Sequence, residues 1–165
     1  MRKFLVTIAT VALVAGPSVA ARAAGTWAWP VVGPVVRGFD PPSSPYGSGH
    51  RGIDIAASIG TTVVAPAPGV VTFAGAVAGR LYVTIDHGDG LLSTCSFLSA
   101  TLVRKGDVVA ADQPIARSGP GHAGDVQPDL HFGVRLAGQY VDPLGYLGPP
   151  SIADLIHLAP LAVPG

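Results

Sequence analysis

Residues 61–98 read TTVVAPAPGVVTFAGAVAGRLYVTIDHGDGLLSTCSFL. Short runs rich in Val, Ile, Thr and aromatics alternate here with Gly and Pro: Thr61 to Ala65, Gly69 to Ala74, Leu81 to Asp86 and Leu91 to Leu98. Branched and aromatic side chains suit a pleated surface, while Gly and Pro end each run in a turn. Outward from this stretch the pattern continues through Asp107 to Val109, Pro114 to Ser118 and Leu130 to Leu136. Short strands at this spacing predict an all-β sandwich or barrel with a central antiparallel sheet. No helical period interrupts them before Ser151, where Ser-Ile-Ala-Asp-Leu-Ile-His-Leu predicts one short, capped C-terminal helix.

A faint internal echo links Gly60-Thr-Thr-Val-Val-Ala-Pro with Gly106-Asp-Val-Val-Ala-Ala-Asp. Both look like the glycine-led strand of a barrel-sandwich hybrid, a duplicated motif shared with lipoyl and biotinyl carriers. A carrier needs a lysine on an exposed hairpin tip. Lys105, the one lysine beyond Lys3, lies beside a strand start without the flanking pattern of a carrier lysine.

The chain opens as an export signal, 1–23: Arg2 and Lys3, an apolar run from Phe4 to Ala15, then small residues. The run is shorter than the about 20 residues a spanning helix needs, so removal is expected and no membrane segment remains afterwards. Ala21 and Ala23 suit a cut after Ala23, and Ser18 and Ala20 one after Ala20; no cysteine near either marks a lipid anchor. Residues 24–45, with Trp27, Trp29 and many Pro and Gly, predict extended chain and turns that wrap over a surface, either covering the cleft as an inhibitory arm or packing on the sheet as a strand. Residues 46–148 form the expected domain and 149–165 a tail.

Loss of Arg2, Lys3 and Arg22 leaves 7 basic against 10 acidic residues, a balance unlike that of a nucleic-acid binder. All ten acids are Asp, so no glutamate can act as the base of an HExxH protease. Cys95 is the single cysteine and rules out an internal disulfide. Stability then falls to the core and any bound metal.

Two imidazoles and a carboxylate, His50 and Asp54 in Gly-His-Arg-Gly-Ile-Asp and His131 in Asp-Leu-His-Phe, make a tripod of the kind that leaves a fourth zinc position open. Taken singly, each has a plainer reading: a turn cap, a local side-chain bond, a satisfied core histidine.

The run from Tyr46 to Leu147 resembles the lysostaphin-type, or LytM-like, zinc endopeptidases that cut peptide cross-links in bacterial peptidoglycan. The matching pieces come in family order. They are His50-Arg-Gly-Ile-Asp54, Gly60 to Ala65 with Pro66 and Gly69-Val-Val, and Ile85-Asp-His-Gly-Asp-Gly90; then Val103-Arg-Lys-Gly-Asp-Val-Val, Leu130-His-Phe and Val141-Asp-Pro-Leu-Gly-Tyr-Leu147. The resemblance implies a secreted or extracytoplasmic hydrolase of wall peptides, with His50, Asp54 and His131 holding Zn²⁺.

The chain departs from the family pattern at two points. Where the family has Tyr-x-His-Leu, with a histidine assisting beside the metal, this chain has Cys95-Ser-Phe97-Leu; where it has His-x-His, this chain has Asp129-Leu-His131. A phenyl ring moves no proton, and losing one general acid or base costs about 10² to 10⁴ in rate. Asp129 is the candidate substitute base, because alternation in a strand puts it on the face of His131. Its alternatives are a partner that fixes a ligand imidazole, or a solvated strand end. His122, in Gly119-Pro-Gly-His-Ala-Gly-Asp125, is a second candidate acid or base, the alternative being an exposed loop histidine. His87 reads as turn chemistry. Cys95, two residues from Phe97, is expected on the same strand face, towards the cleft but half-buried. Arg51 and Arg135 are candidates for a substrate carboxylate, the alternative being solvated edge residues. A second function fits the two departures: a degenerate, zinc-retaining module that binds the wall or regulates a protein partner.

Overall fold

The computed structural model describes residues 26–44, 47–122, 124 and 126–149. The expected signal, most of the tail and the C-terminal helix at Ser151 lie outside the described residues. Among those described, no helix is long and apolar enough to cross a membrane.

The fold is all-β and antiparallel. Its strands are β1 (Val35–Arg37), β2 (Ile53–Ala56), β3 (Thr62–Val64), β4 (Gly69–Val77), β5 (Arg80–Asp86), β6 (Leu91–Thr101), β7 (Val108–Val109), β8 (Pro114–Ser118), β9 (Asp129–Leu136) and β10 (Gln139–Val141). The main path through the sheet runs β1-β2-β9-β6-β5-β4-β7. Strand β10 pairs with the far half of β9, and β8 joins β3 to the end of β6. One 3₁₀ turn, Pro143–Gly145, follows, capped by the Asp142 carboxylate accepting from the Leu144 amide.

Alternation positions the site. In β9, Leu130, Phe132 and Val134 are fully buried on one face, while His131, Gly133 and Arg135 line a cleft on the other. Ile53 and Ile55 of β2 and Val83 and Ile85 of β5 join the same core. Gly60 and Gly106 both have positive φ, 87° and 96°, and each leads into a strand, so the sequence echo is also an echo of backbone.

Three features go beyond the sequence reading. First, β2 was legible only as a metal-ligand motif, because its four residues are too few to show alternation. Second, the segment around Trp27 belongs to the fold. Trp27 is 2% exposed, bridges Leu147 and packs at a tilt against Tyr146 and His87, and the chain then forms the edge strand β1. Third, β6 contains a bulge at Phe97. Tyr82 pairs with Ser96 and Leu81 with Leu98, leaving Phe97 between them at φ +60°. Such a backbone costs about 1–3 kcal/mol in a non-glycine residue and re-aims the side chain. The expectation that Cys95 shares the face of Phe97 is therefore corrected. Phe97 lines the cleft with Thr94 and Ser96, whereas Cys95 is 2% exposed in the core.

Candidate metal centre

Asp54 and His131 are direct cross-strand partners on β2 and β9, with Ser96 of β6 opposite His131 on its other side. Register thus puts a carboxylate and an imidazole side by side on the cleft face. His50 enters from the turn before β2, where it bridges Asp40. Its Nδ1–H donates to the Gly38 carbonyl at 2.7 Å, which fixes the tautomer and leaves Nε2 with a lone pair. That Nε2 stands 3.0 Å from Asp54 Oδ1 and 3.0 Å from His131 Nδ1, and the latter two atoms are 2.8 Å apart.

Three polar atoms packed this closely must share protons or a cation. Separations of 2.8–3.0 Å would let one ion contact all three atoms. The donor set, two imidazoles and a carboxylate, suits zinc. Burial pushes the Asp54 carboxyl up, but the hydrogen bond from His131 and the charges of His131, His50 and His122 outweigh it, so the group stays below the usual carboxylate range. A carboxylate that remains ionised is what a metal requires.

Gly52 is a residue the sequence reading passed over. A Cβ there would stand 2.4 Å from the Phe132 carbonyl oxygen and 2.9 Å from the His131 ring, so only glycine lets the His50 turn lie against that imidazole. Gly119 does the same for the bulge, where a Cβ would lie 2.1 Å from the Phe97 carbonyl oxygen.

His122 joins this cluster. It, His50, Asp54 and His131 each offer a ligand atom, all within 4.8 Å of one another. Its ring lies against Phe97 at 4.3 Å, and its Nδ1 stands 3.5 Å from Asp54 Oδ2 and 3.8 Å from Asp129 Oδ1. Asp129 is 2% exposed and lies outside the cleft lining, with Gly121 packed over its carboxylate. The imidazole between the two carboxylates is thus that of His122.

The remaining candidates lie elsewhere. His87 is buried, donates from Nδ1 to Pro68 O at 2.8 Å and takes the Ser93 hydroxyl on Nε2 at 2.8 Å, a closed structural arrangement. Burial drives the Cys95 thiol up to about 12, which leaves it inert as a nucleophile. Arg51 and Arg135 both line the cleft and flank the Tyr140 ring.

Comparison with known proteins accords with this geometry. Residues 48–143 match Peptidase family M23. The murein hydrolase activator NlpD of Escherichia coli is 38% identical over 125 residues, covering 74% of this chain and 31% of that protein. Among solved structures, the antimicrobial peptidase lysostaphin from Staphylococcus simulans superposes with a TM-score of 0.65 at 28% identity, covering 76% of this chain and 55% of that one. A zinc-containing peptidase from Vibrio cholerae gives 0.63 at 29% identity, covering 78% and 41%. The chain spans 43% and 31% of the length of the Pseudomonas aeruginosa and Escherichia coli relatives it matches.

Proposed function

Because the chain belongs to peptidase family M23, we propose that it is an exported zinc metallo-endopeptidase that hydrolyses peptide bonds in bacterial cell-wall peptidoglycan. The observation that carries this reading is the convergence of His50 Nε2, Asp54 Oδ1 and His131 Nδ1 within 3.0 Å of one another at the cleft. Export rests on the Arg2-Lys3 start and the apolar run behind it.

His50, Asp54 and His131 would hold the ion. Bound there, zinc supplies a Lewis acid that activates water and polarises a scissile carbonyl. The Gly38 carbonyl keeps the His50 tautomer suited to this. Proton handling falls to His122, which lines the cleft on Phe97 where the family's assisting histidine is missing. Asp129 is the positioning residue behind it. With Asp54 Oδ2 at 3.5 Å and Asp129 Oδ1 at 3.8 Å, a proton on Nδ1 is favoured, which leaves Nε2 to take a proton from the attacking water and return it to the leaving amine.

Phe97 in the cleft favours a second reading, a zinc-retaining wall-binding or regulatory module without turnover. The Escherichia coli relative is itself named an activator of murein hydrolases. The two readings separate on cleavage of purified peptidoglycan and cross-bridge peptides by the zinc-loaded protein. Chelator-sensitive cleavage that falls about 10² to 10⁴ in His122→Ala, with zinc content unchanged, supports the hydrolase. Tight zinc and wall binding with no cleavage by the unaltered protein supports the module.

A further inference from the structure

We propose that the cleft beside the metal centre is built for a peptide bearing free carboxylates, held by Arg37, Arg51 and Arg135, and not for an uncharged glycine bridge. The inference rests on the reading of the cleft as a wall-peptide site and adds to it the charge of the peptide.

The cleft encloses about 640 Å³, and its lining includes these three arginines and no acidic side chain among the described residues. That is a biased placement in a chain with seven basic residues beyond Ala23 and an acidic excess there. Arg80, outside that lining, lies over the Phe97 ring at 4.7 Å.

Arg135 is no solvated edge residue. It sits within the sheet, opposite Leu92 on β6 and Tyr140 on β10, and shares the cleft face of β9 with His131, four residues earlier. Arg37 is the strand partner of Asp54, so guanidinium, metal carboxylate and metal imidazole follow one another across β1, β2 and β9. Arg51 and Arg135 lie 6.0 and 5.7 Å from the centroid of the same Tyr140 ring. The ring lies beside both guanidiniums, and Arg51 also donates from Nη2 to the Gly47 carbonyl at 3.2 Å; a planar fork matches a carboxylate through two parallel hydrogen bonds. Among the described residues, no carboxylate lies within ion-pair distance of Arg37 or Arg135. A neutral glycine chain would leave Arg37 and Arg135 unmatched, whereas a peptide with a side-chain and a terminal carboxylate would match them.

Equilibrium binding tests this independently of turnover. The probes are the peptide Ala-Glu-Lys-Ala, its Gln analogue with an amidated C-terminus, and pentaglycine amide, titrated into zinc-loaded His122→Ala protein so that cleavage does not consume them. The acidic peptide is expected to bind at least about tenfold tighter than either neutral one at low salt, with the preference shrinking as salt rises. Adding Arg51→Gln and Arg135→Gln, or Arg37→Gln, should remove the preference at unchanged zinc content, while Arg104→Gln, outside the cleft, should keep it. Equal affinities, no measurable binding of the acidic peptide, or a preference that survives the cleft substitutions would overturn the proposal. If the carboxylate preference holds while the unaltered protein cleaves nothing, the hydrolase reading fails and this one stands.

Discussion

Cys95 and Phe97 lie two residues apart in β6 yet face opposite ways, and the bulge at Phe97 decides what each can do. Simple alternation puts both on one face, and nothing in Cys-Ser-Phe-Leu marks the inserted residue; the signal lies in Gly119, which makes room for the Phe97 carbonyl. With its thiol pushed up to about 12 by burial, Cys95 should resist labelling by a thiol reagent at pH 8 until the protein is denatured. Rapid labelling of the native protein would contradict that placement. His87 supplies a second test. Burial holds its pKa below the ordinary 6.5, outweighing the hydrogen bond to Pro68 and the charge of Asp86. The unfolded chain therefore binds more protons as the pH falls below about 6.5, and the stability this group contributes, intact above that pH, is lost as the pH falls towards the lowered folded value. Urea midpoints at pH 7.5 and 5.5 should show a drop in the unaltered protein and a smaller one in His87→Gln.

At the scale of elements, the site is a product of register. Asp54 opposite His131 and Arg37 opposite Asp54 follow from the pairing of β1, β2 and β9, which the sequence reading did not foresee because β1 and β2 are too short to advertise themselves. The long strands were legible from their β-branched runs, and Pro114–Ser118 was bounded correctly. His50, Asp54 and His131, singled out by residue type and by the order of the motifs that contain them, converge in the structure, whereas the cover of Asp129 by Gly121 and His122 depends on a loop whose course no periodicity encodes. The turn carrying His50 depends on close contact through Gly52. Gly52→Ala should weaken zinc binding at least about tenfold and lower the melting temperature, since the added methyl meets backbone at 2.4 Å and the His131 ring at 2.9 Å. Calorimetric titration of zinc checks this, and an unchanged affinity would mean the turn is looser than drawn.

Over the whole molecule, the segment before the family match is part of the body of the protein. The composition around Trp27 shows turns and extended chain but cannot show which surface they cover, because the partner, Leu147, lies at the other end of the domain. Trp27 closes the core between the first and last described segments, so Trp27→Ala should cost about 3–5 kcal/mol in chemical denaturation. A loss under about 1 kcal/mol would show the segment to be peripheral. The opposite face of β9 and β6 lines the cleft, together with His50, Arg37 and Arg51.

The central claim is that His50, Asp54 and His131 form one metal centre, and the most direct measurement of it is zinc content and affinity of the purified protein beside His131→Ala and Asp54→Ala. The account predicts one tightly held zinc per chain, lost in both variants while near-native β-sheet content is retained. A protein that binds no zinc, or variants that bind it as well as the unaltered chain, would contradict it.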